Sequence, residues 1–129
     1  MSTVEYLIDT NILIYHTKGS EAVSNFFNDI IAKQRFNLSI LTKIEFLGWE
    51  KHSSEGFQKC RRLIDLANVY AVDEDIAEQA IELKRRSKIK LADAVIAATA
   101  LVNNFKLVTR NMEDYKGVKG LEIFNPFKR

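Results

Sequence analysis

The chain has 129 residues, 47% hydrophobic and 28% charged, with only five Gly and one Pro, so a single domain over 1-129 is expected, since domains cluster at roughly 100–150 residues. Its 19 basic and 17 acidic residues leave a net charge of +2, too small an excess to mark a nucleic-acid-binding protein by itself. The lone Cys60 excludes an internal disulfide and a cysteine zinc knuckle, and neither a signal-like leader nor an apolar run of ~20 residues is present, so a cytoplasmic protein without a membrane anchor is expected.

The apolar run Val4 to Ile8 predicts a buried strand, and Asp9-Thr10-Asn11 a turn that caps the short helical segment carrying Ile12 to Tyr15. Ser20-Glu21 opens a second helix, in which Val23, Phe26, Phe27, Ile30 and Ile31 recur at helical spacing. Phe36, Leu38 and Ile40 alternate with Asn37 and Ser39 as in a strand, and Thr42 is read as the start of a helix with Glu45 in its first turn. A helix over Phe57 to Ala67, a strand over Val69 to Val72 and a helix capped by Asp73 follow. Leu91 to Leu101 is so rich in small and apolar residues that its helix must be buried, and Lys106 to Thr109 and Leu121 to Phe124 read as strands around the polar loop Arg110 to Tyr115. Strands alternating with helices predict an α/β fold, a central mainly parallel sheet between two helical layers.

Ligands of such sheets bind beyond the C-terminal ends of the strands, where Asp9 and the loop after Thr109 fall and which helix starts bearing Glu45 and Asp93 can face. Each acid has a structural alternative. Asp9 suits an N-cap, Thr42-Lys43-Ile44-Glu45 matches a capping box, Asp93 suits the positive end of a helix dipole, and Asp114 suits a polar turn. As a set they point elsewhere, because carboxylates gathered in one pocket repel one another unless protonated or neutralised by a cation. Hard oxygen donors select Mg²⁺ or Mn²⁺, which could activate water and stabilise the leaving oxygen of a phosphodiester.

Four segments, Leu7-Ile8-Asp9-Thr10-Asn11, Thr42-Lys43-Ile44-Glu45, Leu91 to Ala98 and Thr109 to Tyr115, together resemble the ordered motifs of PIN-domain ribonucleases over nearly the whole chain. In its small size the chain is most similar to the VapC toxins of bacterial and archaeal toxin-antitoxin pairs. The resemblance implies a PIN-like three-layer fold and a metal-dependent endoribonuclease. By the same resemblance Asp9, Glu45 and Asp93 match the three core acids and Asp114 the fourth, with Thr10, Asn11, Thr109 and Asn111 as supporting polar residues. An RNA substrate, a cognate antitoxin and a homodimer or larger assembly are implied partners. Asn111 stands where many members carry a further Asp and Tyr115 where Phe is common, two departures that bear on how many ions are held.

Lys84, Arg85, Arg86, Lys88 and Lys90 precede the Asp93 helix and could steer an RNA backbone, or merely form a solvated helix end. His16 and His52 lack a metal-ligand spacing and are expected to serve packing or the surface. Phe46, Leu47 and Trp49 suit either the core or a groove for a partner helix. Two alternative functions are a catalytically weak or inactive PIN-like RNA-binding subunit and a Mg²⁺-binding receiver-like signalling module.

Overall fold

Leu7 and Ile8 point to opposite faces of the first strand, yet both are fully buried, as are Leu107 and Val108. Strands covered on both faces belong inside a parallel sheet whose crossover helices form the outer layers. The computed structural model, which describes residues 4–128, has this arrangement. A five-stranded sheet, in the order β3-β2-β1-β4-β5, is parallel throughout. Its strands are β1 (Tyr6–Ile8), β2 (Phe36–Ser39), β3 (Asn68–Tyr70), β4 (Lys106–Val108) and β5 (Ile123–Phe124).

Six helices join them: α1 (Thr10–Thr17), α2 (Glu21–Ala32), α3 (Ile40–Leu47), α4 (Ser54–Ile64), α5 (Glu74–Arg86) and α6 (Leu91–Asn103). The alternating strand residues divide the core in two. Leu7 and Leu107 pack with Ile76, Ala80 and the small residues of α6. Ile8 and Val108, with Phe36 and Leu38, pack with Ile12, Phe27, Ile30, Phe46 and Ile64 from α1 to α4. The small residues of α6 are buried from Ala94 to Ala100, as the sequence requires. Asn104, in the left-handed region at φ 56°, ends that helix and returns its N–H to the carbonyls of Ala100 and Leu101.

Several boundaries differ from the sequence reading. Val4 and Glu5 precede β1, Val72 follows β3, and Thr109 and Leu121 lie outside β4 and β5. Helix α4 begins at Ser54 rather than Phe57, because Ser53 Oγ accepts the Gly56 N–H and caps it. The consequential difference is α3: it starts at Ile40, capped by Ser39 Oγ accepting from Leu41 N at 3.1 Å, so Ile40 is helical and Thr42 is no cap.

β1 is flanked by β2 on one side and β4 on the other, so the chain changes direction between β1 and β4. Such a switch leaves a crevice beyond the strand ends where helices diverge. Asp9 follows β1 directly and Thr109 follows β4 directly, which puts both at the mouth of that crevice.

Candidate active site

Asp9 is buried at the switch point, and its carboxylate is tied down on both oxygens. Oδ1 accepts the Thr10 N–H at 2.9 Å, giving α1 its cap. Oδ2 accepts from Tyr115 Oη at 2.9 Å, from Thr109 Oγ1 at 3.0 Å and from Asn11 Nδ2 at 3.4 Å. Asn11 also donates to Thr109 Oγ1 at 3.0 Å and accepts the Arg110 N–H on Oδ1 at 3.1 Å, so it staples the loop after β4 onto the start of α1. Asn111 closes the knot by donating its backbone N–H to Thr109 Oγ1 at 3.1 Å. A cap alone needs one acceptor; the Asp-Thr-Asn triplet here orders the ends of two strands.

Burial raises the Asp9 carboxyl above the ordinary value of 3.8, the hydrogen bonds from Tyr115, Thr109 and Thr10 oppose the rise, and the charge of Glu45 adds to it. Asp93, in the first turn of α6, is raised first by burial and then by the charges of Asp114 and Asp9, against smaller opposing effects of the Tyr115 hydrogen bond and then of Lys90. Asp114 sits in an exposed 3-10 turn over Met112–Tyr115. The fold therefore brings Asp9 and Asp114 each within electrostatic reach of Asp93, and Glu45 within reach of Asp9.

Glu45 arrives differently from the capping-box alternative. With Ser39 as the cap, it lies in the second turn of α3, where its exposed carboxylate accepts from Thr10 Oγ1 at 2.9 Å. Thr42 is fully buried and its Oγ1 has no hydrogen-bond partner among the described residues. Thr10 thus links Glu45 to the Asp9 triplet.

All the converging donors are oxygens, which suits Mg²⁺ or Mn²⁺, and two desolvated like charges favour a neutralising cation. Among the described residues no three acidic, His or Cys side chains close around one point, so there is no all-protein cage. Mg²⁺ keeps several waters and characteristically takes one or two carboxylates with substrate phosphates. The residues present fit an ion held in that way.

The basic stretch is only partly free. Arg86 pairs with Glu82 at 2.7 Å and Lys84 Nζ donates to the Ile89 carbonyl at 2.8 Å, both local helix-end contacts. Arg85, Lys88 and Lys90 are exposed. Two residues take places that the sequence does not assign them: Tyr115 is marked there only as a departure from Phe, and Arg110 is given no role. Tyr115, 1% exposed, reaches both Asp9 and Asp93. Arg110 places its guanidinium 4.2 Å from the Phe127 ring centroid and 5.0 Å from that of Tyr15, and among the described residues it has no carboxylate in ion-pair reach. Its position directly after Thr109 was the available signal.

The histidines are structural. His52 Nε2 donates to the Phe46 carbonyl at 2.8 Å, while His16 shares a hydrogen bond with Ser24 Oγ and stacks on Phe27. Phe46 and Leu47 belong to the core, whereas Trp49 is 55% exposed. Trp49 lines a largely apolar cleft of about 670 Å³ that begins at Thr10 and Glu45 and continues past Ile14 and Leu63.

Residues 6–119 match the PIN domain family model. The chain belongs to the PIN domain family. It is 29% identical to Ribonuclease VapC1 of Methanocaldococcus jannaschii over 134 residues, covering 92% of this chain and 86% of that protein. Among solved structures, a toxin-antitoxin complex from Klebsiella pneumoniae is similar, with a TM-score of 0.78 at 29% identity, covering 97% of this chain and 100% of that one. The DNA-bound VapBC of Salmonella typhimurium shares the fold at a TM-score of 0.82 and 23% identity, covering 96% and 99%. The chain is thus a PIN-domain homologue of the VapC ribonucleases.

Proposed function

We propose that this chain is a metal-dependent endoribonuclease that hydrolyses RNA phosphodiester bonds, and that it is the toxin of a type II toxin-antitoxin pair acting in the cytoplasm as one catalytic unit. The observation that carries the reading is the meeting of the buried Asp9 and the half-buried Asp93 on the Tyr115 hydroxyl at the sheet's switch point, with Glu45 acting on Asp9 and Asp114 on Asp93. Asp9 and Asp93 are assigned as the principal ligands of Mg²⁺ or Mn²⁺, with Glu45 and Asp114 completing the acidic surround. When bound, the ion supplies a Lewis acid that lowers the pKa of water and offsets charge on the phosphate.

The remaining roles belong to the chain's own groups. Thr10, Asn11 and Thr109 hold the Asp9 carboxylate in one orientation, and Asn111 anchors the loop that carries Asp114. Neither histidine is among the hydrogen-bond partners of Asp9, Glu45 or Asp93, so the attack is assigned to water rather than to a ribose hydroxyl activated by histidine. Lys90, whose charge acts on Asp93, and Arg110, whose guanidinium lies over the Phe127 and Tyr15 rings just after Thr109, are the favoured contacts for the RNA backbone, with the exposed Arg85 and Lys88 in support and Arg86 engaged with Glu82.

An inhibitory antitoxin fits the same surface. The apolar cleft ending at Thr10 and Glu45 suits an apolar segment whose end would cover the acids. Exposed Ile81 and Leu91 supply apolar surface on the other side of the fold for a homodimer or larger assembly.

The test is cleavage of total cellular RNA by antitoxin-free protein, comparing wild type with Asp9→Asn and Asp93→Asn in Mg²⁺, Mn²⁺ or chelator. Expected is ion-dependent cleavage by wild type alone. Equal cleavage by all three proteins would refute the assignment.

A further inference from the structure

Tyr115 is buried among Leu7, Leu107 and the α6 side chains, a place where Phe would fill the same space. Its hydroxyl therefore calls for a reason beyond packing. A buried phenol must find a partner, and this one meets two carboxylates, Asp9 Oδ2 at 2.9 Å and Asp93 Oδ1 at 3.4 Å. The phenol is the donor in both contacts, since a carboxylate oxygen can only accept. One fixed proton thus lies between two acids that repel each other.

We infer that the Tyr115 hydroxyl is a positioning group, holding the Asp9 and Asp93 carboxylates in the spacing from which they take a divalent cation. The inference rests on the metal-nuclease reading above and adds a residue that reading does not use. The two acids depend on the hydroxyl unequally. Asp9 retains the Thr10, Thr109 and Asn11 donors without it. Asp93 has, among the described residues, only this hydrogen bond, and the charges of Asp114 and Asp9 both act on it. Removing the hydroxyl leaves Asp9 in place and releases Asp93 to turn away from its neighbours. Groups that orient metal ligands through hydrogen bonds are worth about 10–100-fold in metal affinity. Because Asp9 stays anchored, the lower end applies.

The experiment is calorimetric titration of Mn²⁺ into antitoxin-free wild type, Tyr115→Phe and, as a control for general destabilisation, Ile30→Val in the distant helical layer. Expected is a dissociation constant about 10-fold weaker in Tyr115→Phe and unchanged in Ile30→Val despite its lower melting temperature. A folded Tyr115→Phe protein that binds Mn²⁺ within twofold of wild type would overturn the inference while leaving the metal reading intact. Absence of Mn²⁺ binding by wild type would overturn both. Should the variant not fold, wild type labelled at tyrosine Cζ decides. Mg²⁺ should move the Tyr115 resonance, assigned by elimination with Tyr6→Phe, Tyr15→Phe and Tyr70→Phe, and an unmoved resonance would count against the inference.

Discussion

At the scale of single residues, Asp9 does two things with two oxygens: Oδ1 caps α1, and Oδ2 collects the side chains that meet at the switch point. Asp93 is the more dispensable for folding, because among the described residues it accepts only the long bond from Tyr115. Its ionisation is raised in the fold, so the folded chain holds this proton to higher pH than the unfolded chain, whose carboxyl titrates near the ordinary 3.8. Its contribution to stability is therefore full below that value and is lost as pH rises through the folded value. Asp93→Asn should accordingly melt higher than wild type at neutral pH without metal, with the gap closing as pH falls below the ordinary 3.8. Thermal melts in chelator across pH check both the sign and the window. Arg110 gives a second expectation. Held over the Phe127 and Tyr15 rings without a carboxylate partner, its guanidinium keeps its donors for a phosphate. Arg110→Ala should raise KM for RNA about 10-fold with little change in kcat, and should reduce the salt slope of RNA binding by about one. A loss confined to kcat would contradict that role. Asp9, Glu45 and Asp93 could be placed from the sequence because each follows a strand or lies on a patterned helix, whereas Asp114, in a polar loop, was singled out by the family resemblance. The role of Tyr115 was not legible, since a tyrosine in a polar loop shows neither its burial nor its partners until the loop is folded back against α6.

At the scale of elements, α3 shows where local pattern and tertiary context part. Thr42-Lys43-Ile44-Glu45 satisfies the spacing of a capping box, but Ser39 ends a buried strand and caps the helix three residues earlier. That shift moves Glu45 into the second turn and toward Thr10 Oγ1. It also buries Thr42 with a hydroxyl unpartnered among the described residues. The two positions should therefore respond in opposite directions. Ser39→Ala should cost about 1 kcal/mol through loss of the cap. Thr42→Val, which removes an unsatisfied buried hydroxyl at nearly constant shape, should be neutral or stabilising by up to about 1 kcal/mol. Urea denaturation of both variants decides, and a costly Thr42→Val would restore a role for that hydroxyl. Strand and helix types were readable elsewhere because the apolar periods are clear. The ends were less so, since three-residue strands such as β1 and β4 leave boundaries to hydrogen bonds with neighbours.

At the scale of the whole molecule, a parallel sheet with β1 between β2 and β4 turns residues distant in the chain into neighbours. Its order was not legible in the sequence, because periodicity identifies strands but not which strand pairs with which. The fold thereby stores like charges in a partly desolvated crevice, and ion binding should relieve that cost. Free Mn²⁺ at 100 times its dissociation constant should stabilise the protein by ~2.7 kcal/mol, or roughly 10 °C in Tm for a chain of this size, and chelator should reverse the shift. An unchanged Tm would show that no ion is taken up.

The most direct test of the central claim, that these acids support hydrolysis of RNA by water, is the chemistry of the cut ends. A single defined RNA, cleaved by antitoxin-free wild type in Mn²⁺ with Asp93→Asn as the paired control, should yield 5′-phosphate and 3′-hydroxyl termini in wild type only. Water attack with the 3′ oxygen leaving gives those ends. Fragments ending in 2′,3′-cyclic phosphate, or equal cleavage by Asp93→Asn, would contradict the account.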